Sequence, residues 1–221
     1  MNRFYLLLAG VAVAAGVLIW LGSRPRTDAT PTVGASPAVT ITAADSAFRG
    51  HVLGSDSAPV EVTEYADFQC PHCAEFAIVQ FPTIREQLIN TGRLRWRFME
   101  YPLGFPWSKI SALAAECAAD QGKFWQMETA LFEHQSEWGR GRKNPLGQFR
   151  DLAQGMGLDV GAFNTCISDE HPAGRIEWSR QVGIAQAVTG TPTFFVRGRK
   201  VEVATSDGFK ALVDSLTAGR D

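Results

Sequence analysis

Residues 60–73 read VEVTEYADFQCPHC. Val60, Val62 and Glu64 fall on one face at the period of a strand, which places a carboxylate in line with two valines. Two cysteines, Cys70 and Cys73, then open the next segment with Pro71 and His72 between them. From about Pro71 to Asn90, Cys73, Ala77, Phe81, Ile84 and Leu88 recur at steps of three and four, a helical stripe. Pro82 lies inside that stripe and is expected to kink the helix, and Gly92 ends it. The cysteine pair thus stands where a strand gives way to a helix.

Working outward, Leu94 to Glu100 alternates Leu94, Trp96 and Phe98 against Arg95 and Arg97, a second strand. Ile110, Leu113, Ala114, Cys117 and Ala118 make one helical face. Phe124, Met127, Leu131 and Phe132 make another. Further helices are predicted over Leu146–Gln154, Val160–Ile167 and Pro172–Val188. Thr193–Arg197 and Lys200–Ala204, joined by a turn at Gly198-Arg199, read as a hairpin. A closing helix follows, marked by Phe209, Leu212, Val213 and Leu216, with Ser206 or Asp207 as its cap. A strand–helix–strand crossover implies parallel neighbours. The expected class is α/β: a mixed sheet of four strands, two parallel and two in an antiparallel hairpin, interrupted by an all-helical insertion over about 107–188. The folded unit is expected from about residue 48 to the end.

Residues 4–22 carry no charged side chain. At 1.5 Å per residue their helix would measure about 28 Å, close to a bilayer core. Arg3 precedes the run, Arg24 and Arg26 follow it, and Trp20 sits at an interfacial position. A retained membrane anchor fits better than a cleaved signal segment, because cleavable apolar cores are shorter and no small-residue site follows closely. Residues 23–47, rich in Pro, Thr, Ala and Ser, are expected to be an extended tether.

The net charge of −2 gives no electrostatic reason for a nucleic-acid partner. Four cysteines suit an oxidising compartment. A zinc site wants two cysteine knuckles, and the chain has one. Two inert core thiols are the other bland reading, and the position of Cys70 argues against it. A helix N-terminus offers unpaired N–H groups and positive potential, which favour thiolate over thiol. Pro71 suits the first helical turn because it has no N–H to leave unpaired. Cys70 is expected to be exposed and to exchange with a partner, and Cys73, on the apolar stripe, to be covered. A cationic His72 would add to the stabilisation of the Cys70 thiolate. A stabilised thiolate favours the reduced pair and makes the disulfide a stronger oxidant.

From about Val60 onward the chain resembles the DsbA-like thiol–disulfide oxidoreductases. The residues that carry the resemblance are CPHC after a strand, the helical insertion, and Gly190-Thr191-Pro192-Thr193 before a later strand. The resemblance implies a thioredoxin fold with an inserted helical domain and a cis bond at Pro192 facing the cysteines. It also implies that the backbone at Thr191 holds an extended substrate chain. Oxidases of the family often carry valine at this position and some isomerase-type relatives threonine, which leaves both activities open. Glu64 matches the family's buried acid upstream of the first cysteine. Burial would raise its pKa and let it exchange a proton with Cys73, or it is a carboxylate kept for structure. Some members bridge their helical domain, which implies a structural Cys117–Cys166 disulfide rather than two separate thiols. Closing a loop of about fifty residues would stabilise the fold by about 2–4 kcal/mol.

The expectation is an extracytoplasmic, membrane-tethered dithiol oxidase without a cofactor or metal, monomeric, acting on reduced secreted or envelope proteins. A membrane quinone-linked partner, implied by the resemblance, would re-oxidise it. An isomerase or reductase, a non-catalytic peptide-binding chaperone and a metal-delivery protein are the alternatives.

Overall fold

The computed structural model describes residues 39–218. The expected membrane segment, and the tether as far as Ala38, lie outside the described residues. Among the described residues no helix is long and apolar enough to cross a membrane. The last part of the expected tether is ordered. Ala43–Ala47 forms a short helix, α1, whose N-cap Thr42 accepts from the Asp45 amide while Asp45 caps Thr42 in return.

Five strands form the sheet, one more than the sequence predicts. They are β1 (His51–Leu53), β2 (Val60–Ala66), β3 (Leu94–Glu100), β4 (Thr193–Val196) and β5 (Arg199–Val201), in the order β1-β3-β2-β4-β5. The strand missed is β1, whose three residues are too few to display alternation. It pairs antiparallel with β3, and the Trp125 indole donates to the Val52 carbonyl at 3.3 Å. β2 and β3 are parallel, with Glu64 opposite Phe98, and β2 pairs antiparallel with β4, with Glu64 opposite Phe194. Glu64 therefore sits on the central strand. The β4–β5 turn is Arg197-Gly198, one residue earlier than expected, with both residues at positive φ. That is the twist a two-residue hairpin requires, and Gly198 adopts it without steric cost.

Helix α2 (71–89) crosses from β2 to β3. It is an α-turn at Pro71–Glu75, a wider π-turn at Phe76–Gln80, an α-turn at Phe81–Ile84 and a second π-turn at Arg85–Ile89. Pro82 has no N–H to give, and the ladder adapts beside it: the Phe81 amide reaches back to the Phe76 carbonyl. This shifts the buried stripe. Phe76 is buried instead of Ala77, and its ring stacks on Trp96 and meets Phe194 at 4.8 Å. With Phe209 and Val213 of the closing helix these rings fill one face of the sheet. Each such aromatic pair adds about 0.5–1.5 kcal/mol beyond burial.

The insertion comprises α3 (Ser108–Ala119), α4 (Phe124–Glu133), α5 (Gln135–Trp138), α6 (Leu146–Gly155), α7 (Val160–Ser168) and α8 (Ala173–Ala185). Its core is continuous with Phe68, Cys70 and Cys73. Tyr65, Met99, Tyr101, Val188 and Phe195 form a third cluster, against which Val182 of α8 packs. The last helix, α9 (Ser206–Thr217), is capped by Thr205, which accepts from the Gly208 amide, and not by Ser206 or Asp207.

Candidate active site

β2 stops at Ala66 and the chain turns before α2 begins. Asp67 holds this turn. Its carboxylate accepts from the amides of Gln69 and Leu103 and from the Ser108 hydroxyl, at 2.6–2.8 Å. Cys70 follows as the N-cap of α2 in extended conformation, with Pro71 at the first helical position. Cys70 and Cys73 are both free thiols.

Cys70 is expected to be exposed, and the structure corrects this: it is 4% exposed, and Cys73 0%. The segment around Thr191 lies over it, with the Thr191 carbonyl 3.4 Å from the Cys70 sulfur. The two thiols nonetheless differ sharply in acidity. The Cys73 S–H donating to Cys70 is the largest influence on Cys70. Burial opposes it, and the Thr191 hydroxyl and the backbone amides of Cys73 and His72 assist it. Together they bring the Cys70 pKa from 9.0 down to about 5. Cys73 is pushed well above the ordinary thiol range, first by burial, then by its hydrogen bond to Cys70 and by the charges of Cys70 and Glu64.

The His72 imidazole, expected to stabilise the Cys70 thiolate, is placed at the surface. Its side chain is 81% exposed and turned to Glu75, with 3.8 Å between Nδ1 and the carboxylate. His72 acts on Cys70 through its backbone amide. The peptide bond between Thr191 and Pro192 is cis. The Thr191 hydroxyl oxygen is buried and makes no strict hydrogen bond, yet it stands beside both sulfurs and favours their anionic forms. His72, Glu75, Phe76, Thr191, Pro192 and Val203 line a groove of about 550 Å³ beside the pair.

Glu64 is buried under the site, with its carboxylate accepting from the Trp96 indole at 3.0 Å. Burial, followed by the charge of Glu128, raises its pKa from 4.5 to about 8. Glu128 on α4 is a second buried acid, raised by burial to about 7, that sequence reasoning missed. A signal was there: Glu128 lies between Phe124, Met127 and Leu131 on an apolar helical stripe.

Cys117 and Cys166 are joined in a disulfide between α3 and α7, with a Cα–Cα distance of 5.8 Å. Elsewhere, His51, Glu100 and Glu116 bring ligand-type atoms within 4.8 Å of one another. The arrangement is suited to its own side chains. His51 holds Glu116 at 2.9 Å and the Arg175 guanidinium holds the other Glu116 oxygen. Burial pushes the Glu100 carboxyl above the ordinary carboxylate range, and the charge of Glu116 pushes it further.

A family model described as Thioredoxin matches residues 46–215. The chain belongs to the thioredoxin family, in its DsbA-like branch. It is similar to the structure of BdbD from Bacillus subtilis in its oxidised form. The TM-score is 0.69 at 28% identity, covering 76% of this chain and 92% of that one. Wolbachia pipientis alpha-DsbA1 gives a TM-score of 0.67 at 26% identity over 75% of this chain and 89% of its own. Disulfide bond formation protein D of Bacillus subtilis is 28% identical over 76% of this chain and 78% of its own length. Na(+)/H(+) antiporter NhaA 3 of Salinispora tropica is 39% identical over 69% of this chain, which spans only 22% of that protein. These likenesses support the DsbA-like thiol–disulfide oxidoreductase family.

Proposed function

We propose that this chain is a dithiol oxidase that places disulfides in reduced, unfolded proteins outside the cytoplasm. The observation that carries this is the divergence of the two thiols, one brought down to about 5 and the other driven up. A reduced pair whose outer sulfur is a comfortable anion is stable, so its disulfide gives itself up readily.

In the proposed cycle a substrate thiolate attacks the Cys70 sulfur of the Cys70–Cys73 disulfide. The S–S bond breaks, Cys73 leaves as thiolate, and a proton from the Glu64 carboxyl neutralises it. The second substrate thiolate attacks the substrate sulfur of the mixed disulfide, and Cys70 leaves as thiolate. Two electrons have passed from substrate to enzyme, and the substrate holds a new disulfide. Thr191 and Pro192, over the sulfur and along the groove, are the proposed seat of the substrate backbone. The Cys117–Cys166 bridge is proposed to be structural and to stay bonded through the cycle.

The reading extends to a membrane anchor at residues 4–22, a catalytic domain on the outer side and a quinone-linked membrane partner that re-oxidises the pair. The name of the Bacillus subtilis relative, a disulfide bond formation protein, supports the direction of transfer. Equilibrating the pair with glutathione redox buffers tests it. An oxidising potential, near the upper end of the thioredoxin-fold range, is the expected result. A potential among the cytosolic reductants would instead assign the chain to reduction.

A further inference from the structure

Two glutamines cross the seam between the redox loop and the helical insertion in opposite directions. Gln135, at the start of α5, sends its carboxamide NH2 to the carbonyls of Phe68 and Cys70, at 2.7 and 2.9 Å. Gln69, between those two residues, reaches back. Its NH2 donates to the Gly139 carbonyl at 2.8 Å, and its carbonyl accepts from the Trp107 amide at 2.6 Å. The circuit closes within α5, where the Gly139 amide donates to the Gln135 carbonyl at 2.7 Å. A Cβ at Gly139 would stand 2.8 Å from that carbonyl, so the tight turn that aims Gln135 has no room for a side chain. Gln135 uses its NH2 on two acceptors and Gln69 on one.

The carbonyls that Gln135 grips belong to the residues on either side of Gln69, and one of them is the Cys70 carbonyl. That oxygen also takes the first helical bond of α2, from the Ala74 amide at 3.2 Å. Holding it fixes the peptide plane that joins Cys70 to Pro71, and with it the direction in which the sulfur faces the first turn of the helix. We propose that Gln135 is a positioning residue for the redox pair: from the insertion it locks the N-cap of α2 so that the amides of His72 and Cys73 bear on the Cys70 sulfur. Gln69 supplies the other half of the clasp. The insertion therefore does more than cover the pair; it sets the reactivity of the outer sulfur through four side-chain hydrogen bonds.

This rests on the reading of Cys70 as the exchanging sulfur, and the test separates the two. The full chain is prepared reduced as wild type, Gln135→Met and Gln69→Met; methionine keeps the length and removes the polar head. The Cys70 thiolate is titrated by its ultraviolet absorbance, and the pair is equilibrated with glutathione. Gln135→Met is expected to raise the thiolate midpoint by about one unit and to weaken the pair as an oxidant about tenfold. Gln69→Met moves both in the same direction, and the double variant falls short of the sum because the clasp acts as a unit. A wild type that titrates low beside a Gln135→Met that titrates identically overturns the proposal, even where the melting temperature has dropped. A wild type that titrates like an ordinary thiol overturns the assignment of Cys70 itself. Should Gln135→Met not fold, an unchanged midpoint in Gln69→Met overturns the clasp by the same logic.

Discussion

Replacing Cys73 with alanine isolates the largest influence on Cys70. In the reduced protein the Cys73 S–H donates to the Cys70 sulfur, and this outranks the backbone amides and the Thr191 hydroxyl. A hydrogen bond to a charged acceptor contributes about 1.5–3 kcal/mol, and S–H, a weak donor, belongs at the lower end. About 1.4 kcal/mol corresponds to one pKa unit. Cys73→Ala should therefore move Cys70 from about 5 to about 6. At pH 5 the thiolate fraction would drop from about one half to about one tenth. Alkylation rates would hide part of this, because a more basic thiolate attacks faster; the net slowing at pH 5 is only about twofold. The thiolate absorbance as a function of pH is the decisive assay. Cys73→Ser, which keeps a donor at that position, should titrate below Cys73→Ala. If Cys73→Ala and wild type share one midpoint near 5, the neighbouring thiol is not the source of the stabilisation. A wild-type midpoint near 9 would refute the entire electrostatic account.

Glu64 carries a pH signature of its own, since its folded pKa of about 8 lies above the unfolded 4.5. The folded chain keeps a proton that the unfolded chain has lost, so stability falls as pH rises from about 4.5 to about 8. Glu64→Gln should lose less stability than wild type over that window in denaturant titrations, and, lacking the proton donor, should release Cys73 from the disulfide more slowly. Removing the Cys117–Cys166 bridge by double alanine substitution should cost up to about 4 kcal/mol for a separation of 49 residues, read as a lower denaturation midpoint. The glutathione equilibrium of Cys70 and Cys73 should stay where it was. Gly183→Ala would place a Cβ 2.6 Å from the Tyr101 ring and 3.1 Å from Tyr65. It should cost about 1–3 kcal/mol through overpacking, seen as a lower melting temperature with unchanged thiol titration.

The alternation in VEVTEYA and LRWRFME, and the cysteine pair between strand and helix, made the centre of the fold legible. Those signals are local, and each residue's partner face follows from its period. β1 was not legible, because His51–Leu53 becomes a strand only through pairing with β3. The widened turns of α2 were half legible: Pro82 announced a disturbance but not that the ladder would expand around it. The covering of Cys70 could not be read, since it comes from Thr191, far along the chain. The same holds for Gln69 and Gln135, two ordinary polar residues until the fold sets one beside the other. The orientation of His72 was not legible either, because residue type says nothing of where an imidazole turns, and here it turns to Glu75.

The two outermost strands, β1 and β5, are only three residues each. At β1 the Trp125 indole occupies the middle carbonyl, and β5 carries the charged Lys200 at its centre, paired with Glu202 just past its end. Exposed strand margins are templates on which extended polypeptides zip up and stay. On the proposed role, this protein meets little else but extended polypeptides. So blunt a rim gives a client little to zip onto, and a client seated in the groove beside the sulfur is set free by exchange of one covalent bond for another.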